Sequence, residues 1–362
     1  MTILNFSIEY DAVNSHNTFT NGDTINGRII VEVSKETKVQ SLVLMAQGKA
    51  RVVWYQHYGR NHHRVFWAKE KYYNIEHHIL REARQDGTEV IGKGRHVFPF
   101  SFNLPDRRIP SSFKALTGKI VHKLRAELKQ SMKLTKKAKS EFTFRSKADM
   151  DVPGLLEPQY GSKDKSLKLF GSGNVSMDIH TKRMGYKQGE NVKFTVEIVN
   201  HSSRSVKPKF SLYEKKSFFA QGRRRVHTKE ILKDQIEALA SSSKDTVTKV
   251  ISIPRELPPS ILNCSIIKLE YRLKVYLDMK CTKDPEVNLH IVVLPEAAPA
   301  TATAKQPAPG AYGFEGFRNP TPPTWSTTPQ QAAPRPFDPP PPYGAYAMPP
   351  TVTYSDKNSS LL

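Results

Sequence analysis

Cysteine is nearly missing: Cys264 and Cys281 are the only two in 362 residues. A disulfide framework is therefore excluded, and the chain suits a reducing compartment, with Cys264 read as a core residue. Long apolar runs are missing as well. No stretch approaches the ~18 uninterrupted apolar residues of a membrane-spanning helix. Residues 1–9 carry no basic region followed by an apolar run, so no secretory signal is expected. Helical periodicity is scarce; Lys229–Ala240, with few apolar positions, could supply one or two turns. Enzyme signatures are lacking too. There is no phosphate-cradling Gly-x-x-x-x-Gly-Lys-Ser/Thr loop and no Gly-x-Ser-x-Gly elbow, so neither catalytic residues nor a cofactor is expected. His57, His62, His63, His77 and His78 sit among Tyr, Arg and Asn in an expected exposed hairpin. They lack cysteine or carboxylate partners at zinc-site spacing, so no metal is expected.

Acids are in short supply. Lys and Arg number 55 against 34 Asp and Glu, a net charge of +21. The excess belongs to the first 300 residues; residues 301–362 hold 4 basic and 3 acidic side chains but 14 of the 26 prolines. A basic body thus precedes a nearly neutral, proline-rich extension.

What the body has in abundance is period-two alternation. Ile29, Val31 and Val33 share one face of a strand, as do Val192, Phe194, Val196 and Ile198. Leu269, Tyr271, Leu273, Val275 and Leu277 alternate with Lys268, Glu270, Arg272, Lys274 and Tyr276. Such short, β-branched runs bounded by turn residues are strands of a sandwich. Two halves follow the same order. Asn21-Gly22-Asp23 introduces one strand as Gln188-Gly189-Glu190 introduces another, and Pro110-Ser111-Ser112 precedes a strand as Pro258-Pro259-Ser260 does. Shifting by 149 lays Leu124 on Leu273, Ala126 on Val275 and Leu128 on Leu277. A repeat this long indicates a duplicated, immunoglobulin-like sandwich. The domains are read as 1–150 and 167–296, joined by a linker at 151–166 whose prolines and glycines should break any strand, and followed by a disordered tail at 297–362.

The glycine–acid turn, Phe98-Pro99-Phe100-Ser101-Phe102, Pro110-Ser111-Ser112-Phe113, Leu124-Arg125-Ala126, Pro259-Ser260-Ile261-Leu262 and Leu269-Glu270-Tyr271-Arg272-Leu273 together resemble the arrestin domain-containing proteins, the α-arrestins. The resemblance spans residues 1–295. It implies two all-β arrestin sandwiches, N and C, each with a shallow concave face. It also implies an adaptor linking membrane receptors or transporters to Nedd-type HECT ubiquitin ligases, for endocytosis and endosomal sorting. Location would then be cytoplasmic, peripheral at the plasma membrane and endosomes. One member of that family pairs with thioredoxin through a cysteine; the comparable stretch here, 235–244, has none, so that activity is not carried over.

The tail holds Pro339-Pro340-Pro341-Pro342-Tyr343. Pro340, Pro341, Pro342 and Tyr343 match the Pro-Pro-x-Tyr ligand of WW domains. Consecutive prolines hold polyproline II before binding, so little ordering entropy remains to be lost, and the tyrosine supplies an aromatic anchor with a polar tip. A second copy is absent: Pro322-Pro323-Thr324-Trp325 ends in Trp, and Pro349-Pro350-Thr351-Val352 in Val. Basic residues cluster at Lys133, Lys136, Lys137 and Lys139 and at Arg223, Arg224 and Arg225. They are candidates for contact with acidic or phosphorylated cargo or an anionic membrane surface, set against a merely solvated positive surface. No recognition helix or zinc spacing accompanies them, so nucleic acid is not the expected partner. The alternative to a ligase adaptor is a trafficking scaffold that binds sorting or coat complexes without a ligase.

Overall fold

A computed structural model describes residues 2–59, 62–80, 89–130, 132–147, 152–167, 173–279 and 284–295. Among these residues there are nineteen strands and no helix. The first half runs β1 (Ile3–Tyr10), β2 (Thr18–Phe19), β3 (Thr24–Val33), β4 (Thr37–Tyr58), β5 (His62–Leu80), β6 (Glu89–Ile91), β7 (Gly94–Asn103), β8 (Phe113–Lys114), β9 (Gly118–Gln130) and β10 (Lys136–Phe144). β1, β3 and β7 form one sheet. The other has the order β2-β10-β9-β4-β5, with β6 and β8 appended. The second half runs β11 (Gln159–Leu167), β12 (Gly173–Thr181), β13 (Gly185–Lys187), β14 (Asn191–Asn200), β15 (Lys207–Ala220), β16 (Arg223–Gln235), β17 (Ser243–Ser252), β18 (Ile267–Asp278) and β19 (Glu286–Leu294). Its sheets are ordered β11-β12-β14-β17 and β13-β19-β18-β15-β16.

The two orders are one plan used twice. A short parallel pair, β2 with β10, recurs as β13 with β19, and the long hairpin β4–β5 recurs as β15–β16. The duplication reaches individual bonds. Ser112 donates its N–H to Phe144 O at 2.8 Å, and its Oγ accepts from Phe144 N–H at 3.0 Å. Ser260 makes the same exchange with Val293, at 2.8 and 3.0 Å. The carbonyl two residues earlier is taken by a buried ring in each half: Pro110 O lies 3.0 Å from His122 Nε2, and Pro258 O accepts from Tyr271 Oη at 2.7 Å. Gly22 and Gly189 share a φ of +79°, a left-handed turn that a side chain would strain.

Alternation sets the cores. In the first half Phe19, Ile29, Leu44, Leu124, Ala126 and Phe144 are buried between the sheets. In the second, Phe194, Val196, Phe210, Leu212, Tyr271 and Leu273 are. Each large apolar side chain so enclosed contributes roughly 1.5–3 kcal/mol relative to exposure. The far end of the β4–β5 hairpin leaves the first core. Ala50, Val52, Trp54 and Phe66 pack with the second half's core, Trp54 stacked on Phe66 at 5.3 Å between centroids.

Two expectations need correction. Residues 151–166 were expected to be linker throughout, yet Gln159–Leu167 is β11, paired along β12. Gly161 does not break this strand; a Cβ there would stand 2.3 Å from Val287 Cγ1, so glycine is what lets the strand lie close to its neighbour. Lys229–Ala240 is not helical: β16 continues to Gln235, and Ile236 then turns into the core. The tail at 297–362 lies outside the described residues, as does Cys281.

Candidate functional site

Pro340, Pro341, Pro342 and Tyr343 fall outside the described residues, so the WW-ligand motif rests on sequence. The basic clusters can be placed. Lys136, Lys137 and Lys139 are on β10, and Lys133 is in the turn before it, where its Nζ donates to Thr2 Oγ1 at 3.3 Å. Strand alternation separates these sequence neighbours. Lys137 and Lys139 are exposed, opposite Glu127 and Arg125 on β9, while Lys136 is half-buried on the side of Ala138. Arg223, Arg224 and Arg225 open the exposed edge strand β16 after the two-residue turn Gln221–Gly222. Arg224 lies over the Phe219 ring at 5.4 Å and donates to Ser217 Oγ at 2.7 Å. The two clusters therefore occupy different sheets in different halves and form no single site.

The register assembles a cationic face that sequence reasoning missed. On the outer side of the larger sheet of the first half, Arg51 on β4 stands directly between Lys119 on β9 and Lys69 on β5. One step along, Lys49 stands between Val121 and Lys71. On the adjoining strands Arg125 faces Lys139, while Lys123 faces Glu141. Like charges directly opposite in an antiparallel pair are destabilising, so this row is not explained by stability. The electrostatics agree: burial first, then Lys123 and Lys69, lowers the Lys49 amine from its ordinary value. Burial first, then Lys139 and Arg125, lowers Lys123. Every one of these cations was visible in sequence. What could not be read was the cross-strand pairing, which passes through irregularities at Gly48/Lys49 on β4.

The two halves also meet through polar groups. Glu70 on β5 accepts from Ser265 N–H at 2.8 Å and Ser265 Oγ at 2.7 Å. Beside it Tyr72 Oη donates to Cys264 Sγ at 3.1 Å. Cys264 is fully buried and its thiol is pushed up by that burial, which makes it a packing group and not a reactive thiolate. The five histidines named above are exposed along the β4–β5 hairpin. Among the described residues no group of three or more His, Cys, Asp or Glu side chains could hold a metal ion.

Residues 6–151 match the family described as Arrestin (or S-antigen), N-terminal domain, and residues 171–297 match Arrestin (or S-antigen), C-terminal domain. Over 287 residues the chain is 29% identical to arrestin domain-containing protein 4 of Mus musculus, covering 77% of this chain and 69% of that one. The Homo sapiens protein of the same name is 29% identical over 283 residues, with 76% and 68% covered. Thioredoxin-interacting protein of Mus musculus is 26% identical over 282 residues, with 76% and 70% covered.

Proposed function

The chain belongs to the arrestin domain-containing family, and on that premise we propose that it is an adaptor carrying a WW-domain ubiquitin ligase to membrane cargo. The double sandwich selects a receptor or transporter. Pro340, Pro341 and Tyr343 engage a WW domain of a Nedd-type HECT ligase, whose chemistry then marks the cargo for endocytosis and endosomal or lysosomal sorting. The protein contributes proximity and no bond-making group of its own. It works in the cytoplasm, at the inner side of the plasma membrane and on endosomes. The observation that carries this is the joint occurrence of an arrestin-type double sandwich and a Pro-Pro-x-Tyr sequence in a proline-rich segment beyond it.

A single such motif forfeits the avidity that tandem ligands gain on tandem WW domains, so recruitment is weaker or more selective than with two. The test is capture of the full chain by immobilised WW domains. Tyr343→Ala should abolish capture and leave the thermal unfolding of the body unchanged; retained capture would refute the motif's role.

A further inference from the structure

The edge of a sheet offers backbone N–H and C=O groups to any further strand, and folds blunt such edges with prolines, bulges, charges or covers. Most edges of this molecule are blunted. β7 carries Pro99, β1 breaks register between Ile3 and Asn5, and β5 runs beside β4 through two irregularities. β16 opens on three arginines, and Gln159 of β11 is bonded to the backbone of His290 on β19. β17 has none of these devices. It pairs with β14 along its whole length without a break and, among the described residues, with no other strand. It holds no proline or glycine and is rich in β-branched side chains: Thr246, Val247, Thr248, Val250 and Ile251.

Backbone bonding fixes which of its groups stay free. Just past the strand, Ile253 N–H donates to Glu190 O, and Ile253 O accepts from Gly189 N–H, so Ile253 bonds towards the start of β14. Bonding direction alternates along an antiparallel strand, so Asp245, Val247 and Lys249 bond the same way. Lys244, Thr246, Thr248 and Val250 then aim their N–H and C=O at the open edge. Thr246 N–H accordingly turns to the carboxylate of its own neighbour, donating to Asp245 Oδ1 at 2.8 Å.

We propose that β17 pairs with β17 of a second copy of this chain, antiparallel about a twofold axis at Val247, so that two four-stranded sheets run on as one. The strand is complementary to itself, which picks the occupant. A pairing centred on Asp245 or on Lys249 would set like charges on each other, which is destabilising. Centred on Thr246, it would set Asp245 against Val247; centred on Thr248, Asp245 against Ile251 and Lys249 against Val247. The Val247 centre sets Asp245 against Lys249, Thr246 against Thr248 and Val247 against itself. Within their own chain Asp245 and Lys249 face Ile198 and Phe194 and not an opposite charge. At this centre Thr246 and Thr248 exchange the backbone bonds. Asp245–Lys249 and Val247–Val247 fall at the non-hydrogen-bonded positions, where facing side chains stand closest. Ser242, at a φ of +53°, ends the extended run.

One strand pair is smaller than a standard interface, and a net charge of +21 repels a second copy, so the dimer is of the weak, transient kind. The pairing takes nothing from the adaptor function. Its consequence does rest on that reading: two copies bring two Pro-Pro-x-Tyr segments to tandem WW domains and supply the avidity that one motif lacks.

The experiment is sedimentation velocity of the full chain over a rising concentration series. The parent should pass from monomer to dimer. Asp245→Lys and Lys249→Asp each put like charges face to face at both ends of the pairing, and each should weaken self-association by about tenfold or more. Mixed together, the two variants should form a heterodimer, because the lysines of one then face the aspartates of the other. The double variant Asp245→Lys, Lys249→Asp should dimerise as the parent does. Thr248→Pro removes an N–H from the open edge and none of the bonds to β14, and should leave only monomer. Thermal unfolding at the parent's temperature checks that each variant is folded, and the rescue by mixing holds the test even where a single variant is less stable. Tyr343→Ala should dimerise as the parent does, which separates this result from any failure of ligase recruitment. The proposal is overturned if the parent stays monomeric at every concentration, if both charge variants dimerise like the parent, or if neither the mixture nor the double variant restores the dimer.

Discussion

His122 and Tyr271 do one job with different chemistry. Each is buried on the equivalent strand and holds the carbonyl of the equivalent proline, but only an imidazole has an ordinary pKa near neutrality. Tyr73 Oη lies 3.0 Å from His122 Nδ1, so the neutral ring accepts there and donates from Nε2 to Pro110 O. Burial lowers its pKa from 6.5 to about 4, against a smaller opposing effect of the Pro110 bond. The unfolded chain therefore takes up the proton first. The stabilisation is complete above pH 6.5 and is lost as pH falls towards 4, on the order of 3 kcal/mol in all. Chemical unfolding at several pH values should show that loss in the parent. His122→Phe should be less stable at neutral pH, because Tyr73 Oη and Pro110 O lose their partner, and its stability should vary less between pH 6.5 and 4. An equally steep profile in the variant would assign the acid sensitivity elsewhere. The histidine's setting is hidden in sequence: alternation gives it the face of Leu124 and Ala126 and no hint of the proline carbonyl it caps.

At the scale of elements, alternation and turn chemistry were enough to read the sandwich. The apolar faces of Leu124–Leu128 and Leu269–Leu277 are the buried faces observed, and the shift that superposed them matches equivalent strands. β11 escaped because Gly161 looks like a strand breaker, whereas its role depends on Val287, more than a hundred residues away in sequence. Gly161→Ala should destabilise by about 1–3 kcal/mol, because the buried, β-branched Val287 has no free rotamer to retreat into. Equilibrium unfolding would measure it, and an unchanged midpoint would contradict the close approach. The basic run after β9 shows the opposite failure: neighbours in sequence suggested one patch, and period-two geometry sent Lys136 and Lys137 to different sides. The real charge row needed pairing among three strands, information that no single strand carries.

Across the whole molecule, the β4–β5 hairpin is shared property. Its near end closes the first core, its far end enters the second through Trp54 and Phe66, and Glu70 ties it to Ser265. Trp54→Ala should cost about 3–5 kcal/mol and uncouple the halves. Calorimetry of the variant should resolve two transitions in place of one; a single unshifted transition would mean the halves do not depend on this contact. On its other side the same hairpin supplies Arg51, Lys69, Tyr55 and Trp67 to the outer face, so interdomain packing and the exposed cationic row use opposite sides of one element.

The proposed adaptor function would join two separable handles, a body for membrane proteins and a proline–tyrosine segment for a ligase. Proximity labelling in cells, comparing the parent chain with Tyr343→Ala, reads both at once. Ligases bearing WW domains should vanish from the labelled set of the variant while membrane receptors or transporters remain. An unchanged set of ligases, or the loss of the membrane proteins along with them, would contradict it.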